Sequence, residues 1–248
     1  MKILLSGGSS GFGRYLKENL GNCILYGRSN YTRHENVDVI IHCGWSRSFE
    51  SSIMDYVYEA VLHASNLIKI PHKKFIFLST AKIYDGQRII DWGEEMEESC
   101  KIDKRDLVGI YSSTKLLVEE MVTKRATNPV IIRPSSLMGK YTDNSITKLA
   151  QMKPANLSIN SVMNLVLYEH VMTFIQACFL LDITGVFNLV GKGNFSLSET
   201  TKDLGLFGNH IETNGNLSYR KVDELLPNIL QTSKNNYNTW KHNYAKNK

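Results

Sequence analysis

At 248 residues, with 42% hydrophobic and 21% charged side chains, the chain can bury one large α/β core with a small appended lobe, and its composition excludes a disordered polymer. The net charge of +5 is mildly basic, but Lys234, Lys241, Lys246 and Lys248, spaced by asparagines, supply much of it and read as a solvated end. A nucleic-acid partner is not expected, because that needs basic residues on one face with aromatics interleaved.

The first strand, Met1 to Leu5, runs directly into Ser6-Gly7-Gly8-Ser9-Ser10-Gly11-Phe12-Gly13, and a helix-like Arg14 to Leu20 follows. A strand, a glycine turn and a helix start in that order make a pyrophosphate cradle: glycines let the backbone approach the anion, and the N–H groups of the first helical turn bind it. The spacing of Gly7, Gly11 and Gly13 is G-x-x-x-G-x-G, not the commoner G-x-G-x-x-G. That apolar run is too short for a signal peptide, and no segment approaches the roughly 18 apolar residues of a membrane span. No membrane partner is therefore expected, and the cytoplasm is the expected compartment.

Asn22 to Tyr26 reads as a second strand, closed by Gly27-Arg28-Ser29-Asn30, and Val37 to Gly44 as a third, apolar throughout as strands buried on both faces are. Residues 49 to 70 suit a helix with an apolar stripe of Ile53, Val57, Val61 and Leu67-Ile68, ended by Pro71. Lys74 to Leu78 is the next strand and stops at Ser79-Thr80; Tyr111 to Arg125 is helical; Pro129 to Pro134 is a strand closed by proline. This alternation predicts an α/β fold with a doubly wound parallel sheet, whose ligands sit beyond the carboxyl ends of the strands. Gly7 to Gly13, Arg28, Cys43 to Trp45, Ser79-Thr80 and Pro134 to Ser136 all fall there. Residues from about 140 to 165 form an excursion, Met163 to Leu181 is helix-rich, Gly185 to Val190 is a late strand, and the end from Phe207 shows only a short helix near Val222 to Leu230. The expected division is a dinucleotide-binding core over 1–139 and, intertwined with it, a segment over 140–248 holding a small C-terminal substrate lobe. The four cysteines, Cys23, Cys43, Cys100 and Cys178, include no C-x-x-C pair, so no metal is expected; Cys23, Cys43 and Cys178 read as small buried hydrophobes of a reducing compartment.

Tyr111 and Lys115 stand at i and i+4 of one helix, hence on one face. A tyrosine titrating near 10 is a poor acid or base at neutral pH, and a neighbouring ammonium lowers it by favouring the phenolate. Ser79-Thr80 adds hydroxyls to hydrogen-bond a reacting oxygen. With these three elements in order, the chain resembles the short-chain dehydrogenase/reductase superfamily, in particular its extended branch of nucleotide-sugar epimerases, dehydratases and reductases. The likeness runs through Ser6 to Gly13, Asp38 to Gly44, Phe77 to Gly86, Tyr111 to Lys115 with Glu119, Ile132 to Gly139, and Ile183 to Gly191 with Ser196 to Glu199, covering roughly residues 1 to 205.

The resemblance implies a Rossmann-like sheet, Tyr111 as acid/base, Lys115 binding the nicotinamide ribose, and Thr80, rather than Ser79, bonding the substrate oxygen. The cofactor would lie on Gly7, Ser9, Ser10, Gly11, Phe12, Gly13, Arg28, Cys43, Gly44, Lys115 and Pro134. Dehydratases of this branch carry Asp-Glu after the threonine; Ala81-Lys82 stands here, which disfavours dehydration, while Ser79 to Gly86 looks like the corresponding segment of the 4-keto-6-deoxy sugar reductases. An assistant asparagine of the preceding helix is replaced near Ala60. The second strand ends in Gly27-Arg28-Ser29 with no acid nearby, and Arg28, with Arg14, suits the 2′-phosphate of NADP over NAD. Residues 31 to 36 are too few for the usual third strand on the adenine side. His42 reads as a packed residue, Glu119 and Glu120 as helix surface, Trp45 as a pocket wall, and Lys140 as exposed, with attraction of a substrate diphosphate as its functional alternative. A reductase of a nucleotide-linked keto sugar leads; an epimerase with tightly held NAD and a non-catalytic dinucleotide-binding protein are the alternatives. The resemblance also suggests a homodimer through the helices around 50–70 and 111–125.

Overall fold

The computed structural model describes residues 1–27, 36–45, 52–85, 95–107, 109–150, 158, 160–200 and 216–245. It divides into two compact units, one of Met1–Ile90, Ser99–Arg133 and Ile175–Phe187, the other of Asp91–Glu98, Pro134–Phe174 and Asn188–Lys248. In chain order the elements are β1 (Ile3–Ser6), α1 (Gly11–Asn19), β2 (Cys23–Tyr26), β3 (Val37–His42), α2 (Ile53–Ile68), β4 (His72–Leu78), a 3-10 turn (Ala81–Tyr84), α3 (Gly109–Arg125) and β5 (Pro129–Pro134). They continue through β6 (Ser136–Met138), α4 (Ser145–Ala150), β7 (Val162–Met163), β8 (Leu165–Leu167), α5 (Tyr168–Leu180), β9 (Gly185–Leu189), β10 (Phe195–Ser196), α6 (Arg220–Leu225) and α7 (Ser233–Tyr244).

The first unit is built on a six-stranded sheet of order β2-β1-β3-β4-β5-β9. Pairing from β2 to β5 is parallel, with Leu5 opposite Ile41 and His42 opposite Phe77. The reason is compositional: Leu4, Leu5, Ile40, Ile41, Phe75, Ile76 and Phe77 are fully buried, and a strand with no polar face needs helices on both sides. The Rossmann-like α/β architecture expected from the alternating pattern is the one observed. Helix α1 supplies Phe12, Tyr15 and Leu16 to the core. Helix α2 begins at Ser52, whose Oγ accepts from the Asp55 backbone N–H at 3.2 Å. Its buried residues are Tyr56, Ala64 and Leu67; Val61 and Ile68 of the anticipated stripe pack partly buried against the same core, and Ile53 is left 60% exposed. Among the described residues β2 is the edge strand; Arg28 to Asn30 and residues 31–35 lie outside them.

The second unit has two small sheets, β6 with β8 in parallel and β7 with β10 antiparallel, around a core of Met138, Ile146, Leu149, Leu165, Phe195 and Trp240. Its C-terminal helix corrects the reading of a solvated end. Ser233, Asn236, Tyr237 and Trp240 follow the helical i, i+3, i+4, i+7 pattern and are buried. The two polar members hold backbone: Ser233 Oγ accepts from Leu165 N–H at 3.1 Å and donates to the Gly193 carbonyl at 2.7 Å, while Asn236 Nδ2 donates to the Leu165 carbonyl at 2.7 Å. Among the described residues no helix is long and apolar enough to cross a membrane.

Candidate active site

The chain leaves β1, β3 and β4 at one edge of the first unit's sheet, and the predicted groups gather there. Gly7 has φ of +80°, and a methyl group on it would sit 2.5 Å from the Gly44 backbone nitrogen. A methyl group on Gly13 would sit 2.2 Å from the Gly7 carbonyl oxygen, so α1 begins flat against the loop only because glycine stands at both places. Ser9 and Ser10 are exposed, and Ser10 heads α1 without closing its first turn by a side-chain hydrogen bond. Phe12 points into the core and stacks near Tyr15. The loop is a cradle of the shape a pyrophosphate needs, which a side chain at Gly7 or Gly13 would fill.

Beneath the cradle, Ser6 Oγ lies 2.7 Å from His42 Nδ1 and accepts from the Gly44 N–H at 3.1 Å. His42 is thus the packed residue expected, in contact with His63 and Phe77 rings, and burial, then the neighbouring His63, keeps it well below the usual imidazole range. Cys43 donates its N–H to the Ser6 carbonyl, and burial pushes its thiol up to about 12, which makes it inert as a nucleophile at neutral pH.

Lys115 and Tyr111 do share one side of α3. Lys115 is 3% exposed; its Nζ donates to the Leu78 carbonyl at 2.8 Å and lies 3.9 Å from the centre of the Trp45 ring and 5.9 Å from that of Tyr111. Burial pulls its pKa down to about 7, with Cys43 and Glu119 opposing. Trp45 stands edge-on to Tyr111 at 6.2 Å and donates from Nε1 to the Tyr56 hydroxyl at 2.6 Å. The face of its ring meets the Lys115 ammonium, a cation–π contact.

Thr80 is buried at the head of the 3-10 turn, where Oγ1 accepts from the Lys82 N–H at 3.2 Å and keeps its own proton to donate. Ser79 donates its N–H to the Ile132 carbonyl at 2.7 Å. The turn is tied to α3 by Ser112 Oγ, which donates to the Lys82 carbonyl at 3.0 Å. A second tie overturns the reading of Glu119 as helix surface. Glu119 is 3% exposed, Arg133 at the end of β5 forks onto both its oxygens at 2.7 to 3.2 Å, and Arg133 Nη1 donates to the Tyr84 hydroxyl at 2.7 Å. The signal for this network was present only as an i+4 step from Lys115 to Glu119 on the same helix, since Arg133 and Tyr84 come from other elements.

The remaining predicted residues are less closely joined. Pro134 is the buried last residue of β5. Arg14 pairs with Glu18 at 3.1 Å on the exposed side of α1. Ala60 is half-buried on α2, and Lys140 lies 5.0 Å from the centre of the Tyr141 ring. Arg28 lies outside the described residues. Among those described, no group of three His, Cys, Asp or Glu is placed to hold a metal.

The solved structures that share the fold include three nucleotide-sugar enzymes. They are a dTDP-4-dehydrorhamnose reductase from Clostridium acetobutylicum ATCC 824 (15% identity, TM-score 0.75, 98% of this chain and 99% of that one), a UDP-glucuronic acid 4-epimerase from Bacillus cereus in complex with UDP-glucuronic acid and NAD (16%, 0.73, 99% and 99%), and a dTDP-4-dehydrorhamnose reductase from Bacillus anthracis str. Ames in complex with NADP (14%, 0.74, 97% and 98%). No curated protein sequence matches. The family of NAD dependent epimerases and dehydratases matches residues 24–167, more than half of the chain, and spans β3, the Thr80 turn and the Tyr111 helix; the chain belongs to the NAD dependent epimerase/dehydratase family.

Proposed function

We propose that the chain is an NAD(P)-dependent oxidoreductase that reduces a nucleotide-linked keto sugar, with NADP preferred. One observation supports reading the glycine loop and the Tyr111–Lys115 pair as one site: Gly44 abuts the Gly7 loop, and the next residue, Trp45, touches both Lys115 and Tyr111. Structural neighbours that bind NAD or NADP, and act on dTDP- or UDP-linked sugars, support it as analogy of fold.

The cradle glycines and the first turn of α1 would hold the pyrophosphate, and Lys115 the nicotinamide ribose. Held there, a nicotinamide would supply the hydride for reduction of a carbonyl carbon. Tyr111 gives its phenolic proton to the carbonyl oxygen, so the carbonyl becomes a secondary alcohol. Thr80 donates a hydrogen bond to that same oxygen as negative charge gathers on it. The Lys115 ammonium favours the phenolate left on Tyr111 until solvent returns the proton. Ala81-Lys82 after Thr80 offers no carboxylate to remove water, in keeping with reduction rather than dehydration.

Calorimetric titration of the purified chain with NADPH and NADH tests the reading. Tighter binding of NADPH supports it; equal weak binding of both contradicts the NADP preference. A chain that purifies with NAD already bound and needs none added is an epimerase.

A further inference from the structure

The Lys115 ammonium has three hydrogens, and among the described residues it donates to one acceptor, the Leu78 carbonyl at 2.8 Å. Three rings stand about it, with the Trp45 ring centre at 3.9 Å, Phe77 at 4.9 Å and Tyr111 at 5.9 Å, and Cys43 and Glu119 lie near enough to act on its charge. A lysine that binds ribose must offer its ammonium to hydroxyl groups, yet at 3% exposure this one is closed off, and the nearest cover is the Trp45 indole. That indole is held from behind by its Nε1 bond to Tyr56 and is itself only half-buried, so it has a path outward. A cation–π contact is stronger in a dry site than at an exposed one, which holds the indole over the ammonium.

We propose that Trp45 is a gate on the dinucleotide site: its indole covers the Lys115 ammonium in the free chain, and binding exchanges the cation–π contact for hydrogen bonds to ribose hydroxyls as the indole leaves. The inference rests on the reading of Lys115 as the ribose-binding residue. The fraction of molecules with the indole off the lysine then divides into the intrinsic dissociation constant, so the closed gate weakens apparent affinity. Tyr56 sets that fraction through its hydroxyl.

The test uses the full chain labelled with 5-fluorotryptophan, in which Trp45, Trp92 and Trp240 each give one 19F resonance and Trp45→Phe assigns the first. NADPH and NADH are titrated in, and calorimetry is run in parallel on the wild type, Trp45→Leu and Tyr56→Phe. The gate predicts that the Trp45 resonance moves on saturation, that Trp45→Leu binds about tenfold tighter, and that Tyr56→Phe binds about threefold tighter. An unmoved Trp45 resonance at saturation, or Trp45→Leu binding no tighter with its fold intact by circular dichroism, overturns the gate while leaving the dinucleotide reading in place. If Trp45→Leu does not fold, the resonance and Tyr56→Phe decide. No binding by any of the three overturns gate and dinucleotide reading together.

Discussion

The two units spend their buried polar groups differently. In the first, several side chains bond one another, Arg133 with Glu119 and Tyr84, Ser6 with His42 and Trp45 with Tyr56, while Lys115 and Ser112 bond backbone carbonyls. In the second, neutral amides and hydroxyls bond the backbone. Asn164 Nδ2 donates to the carbonyls of Gly191 and Gly193 at 3.1 and 3.0 Å, its Oδ1 accepts from Leu217 N–H at 3.3 Å, and Asn236 and Ser233 do the same for Leu165. A long parallel sheet satisfies its own backbone, so polar side chains of the first unit are free to orient a site. The second unit, with strands of two or three residues, needs side chains to complete its backbone pairing.

Substitutions at each kind of site sharpen this contrast. Glu119→Ala strands the Arg133 guanidinium in the core and should lower stability by about 3–5 kcal/mol in denaturant unfolding, whereas Glu119→Leu with Arg133→Leu removes both charges and should recover most of that loss. Equal losses in the single and double variants would mean that the pair is not a closed unit. Asn164→Ala leaves neutral groups unsatisfied and should cost about 2 kcal/mol, less than the stranded charge.

Lys115 makes the first unit sensitive to pH. Its folded pKa is near 7 and its unfolded value about 10.4, so between them the unfolded chain holds a proton that the folded chain has lost, and stability rises with pH. Relative to Lys115→Met, unfolding free energy should climb from about pH 7 toward pH 10 by at most about 1.4 kcal/mol per pH unit; parallel profiles of the two chains would contradict a dry ammonium. The smallest effect is expected at Thr232, whose hydroxyl accepts from Asn235 N–H at 3.2 Å to start α7. Thr232→Ala should cost about 1 kcal/mol in the same unfolding assay.

The first unit was largely legible because its strands are continuous apolar runs and its site residues follow directly on strand ends. Glu119 was misread because a charge on a helix carries no mark of the arginine that meets it from another strand. The face of α2 was legible in Val61, Leu67 and Ile68 but not at Ile53, which stays exposed, or at Tyr56, whose burial no aliphatic pattern marks. Helix α7 was missed because the buried positions of its period hold Ser, Asn, Tyr and Trp among lysines and asparagines, and hydrophobicity does not register a serine that caps a strand's backbone. Nothing in one sequence places the Trp45 ring on a lysine.

The central claim is that the cradle and the Tyr111–Lys115 pair form one hydride-transfer site. Its most direct test compares wild type and Tyr111→Phe for dinucleotide affinity and for dinucleotide oxidation with a nucleotide-linked keto sugar. The account predicts unchanged affinity and turnover lower by about 10²–10⁴-fold in the variant. Equal turnover in the two chains would contradict it.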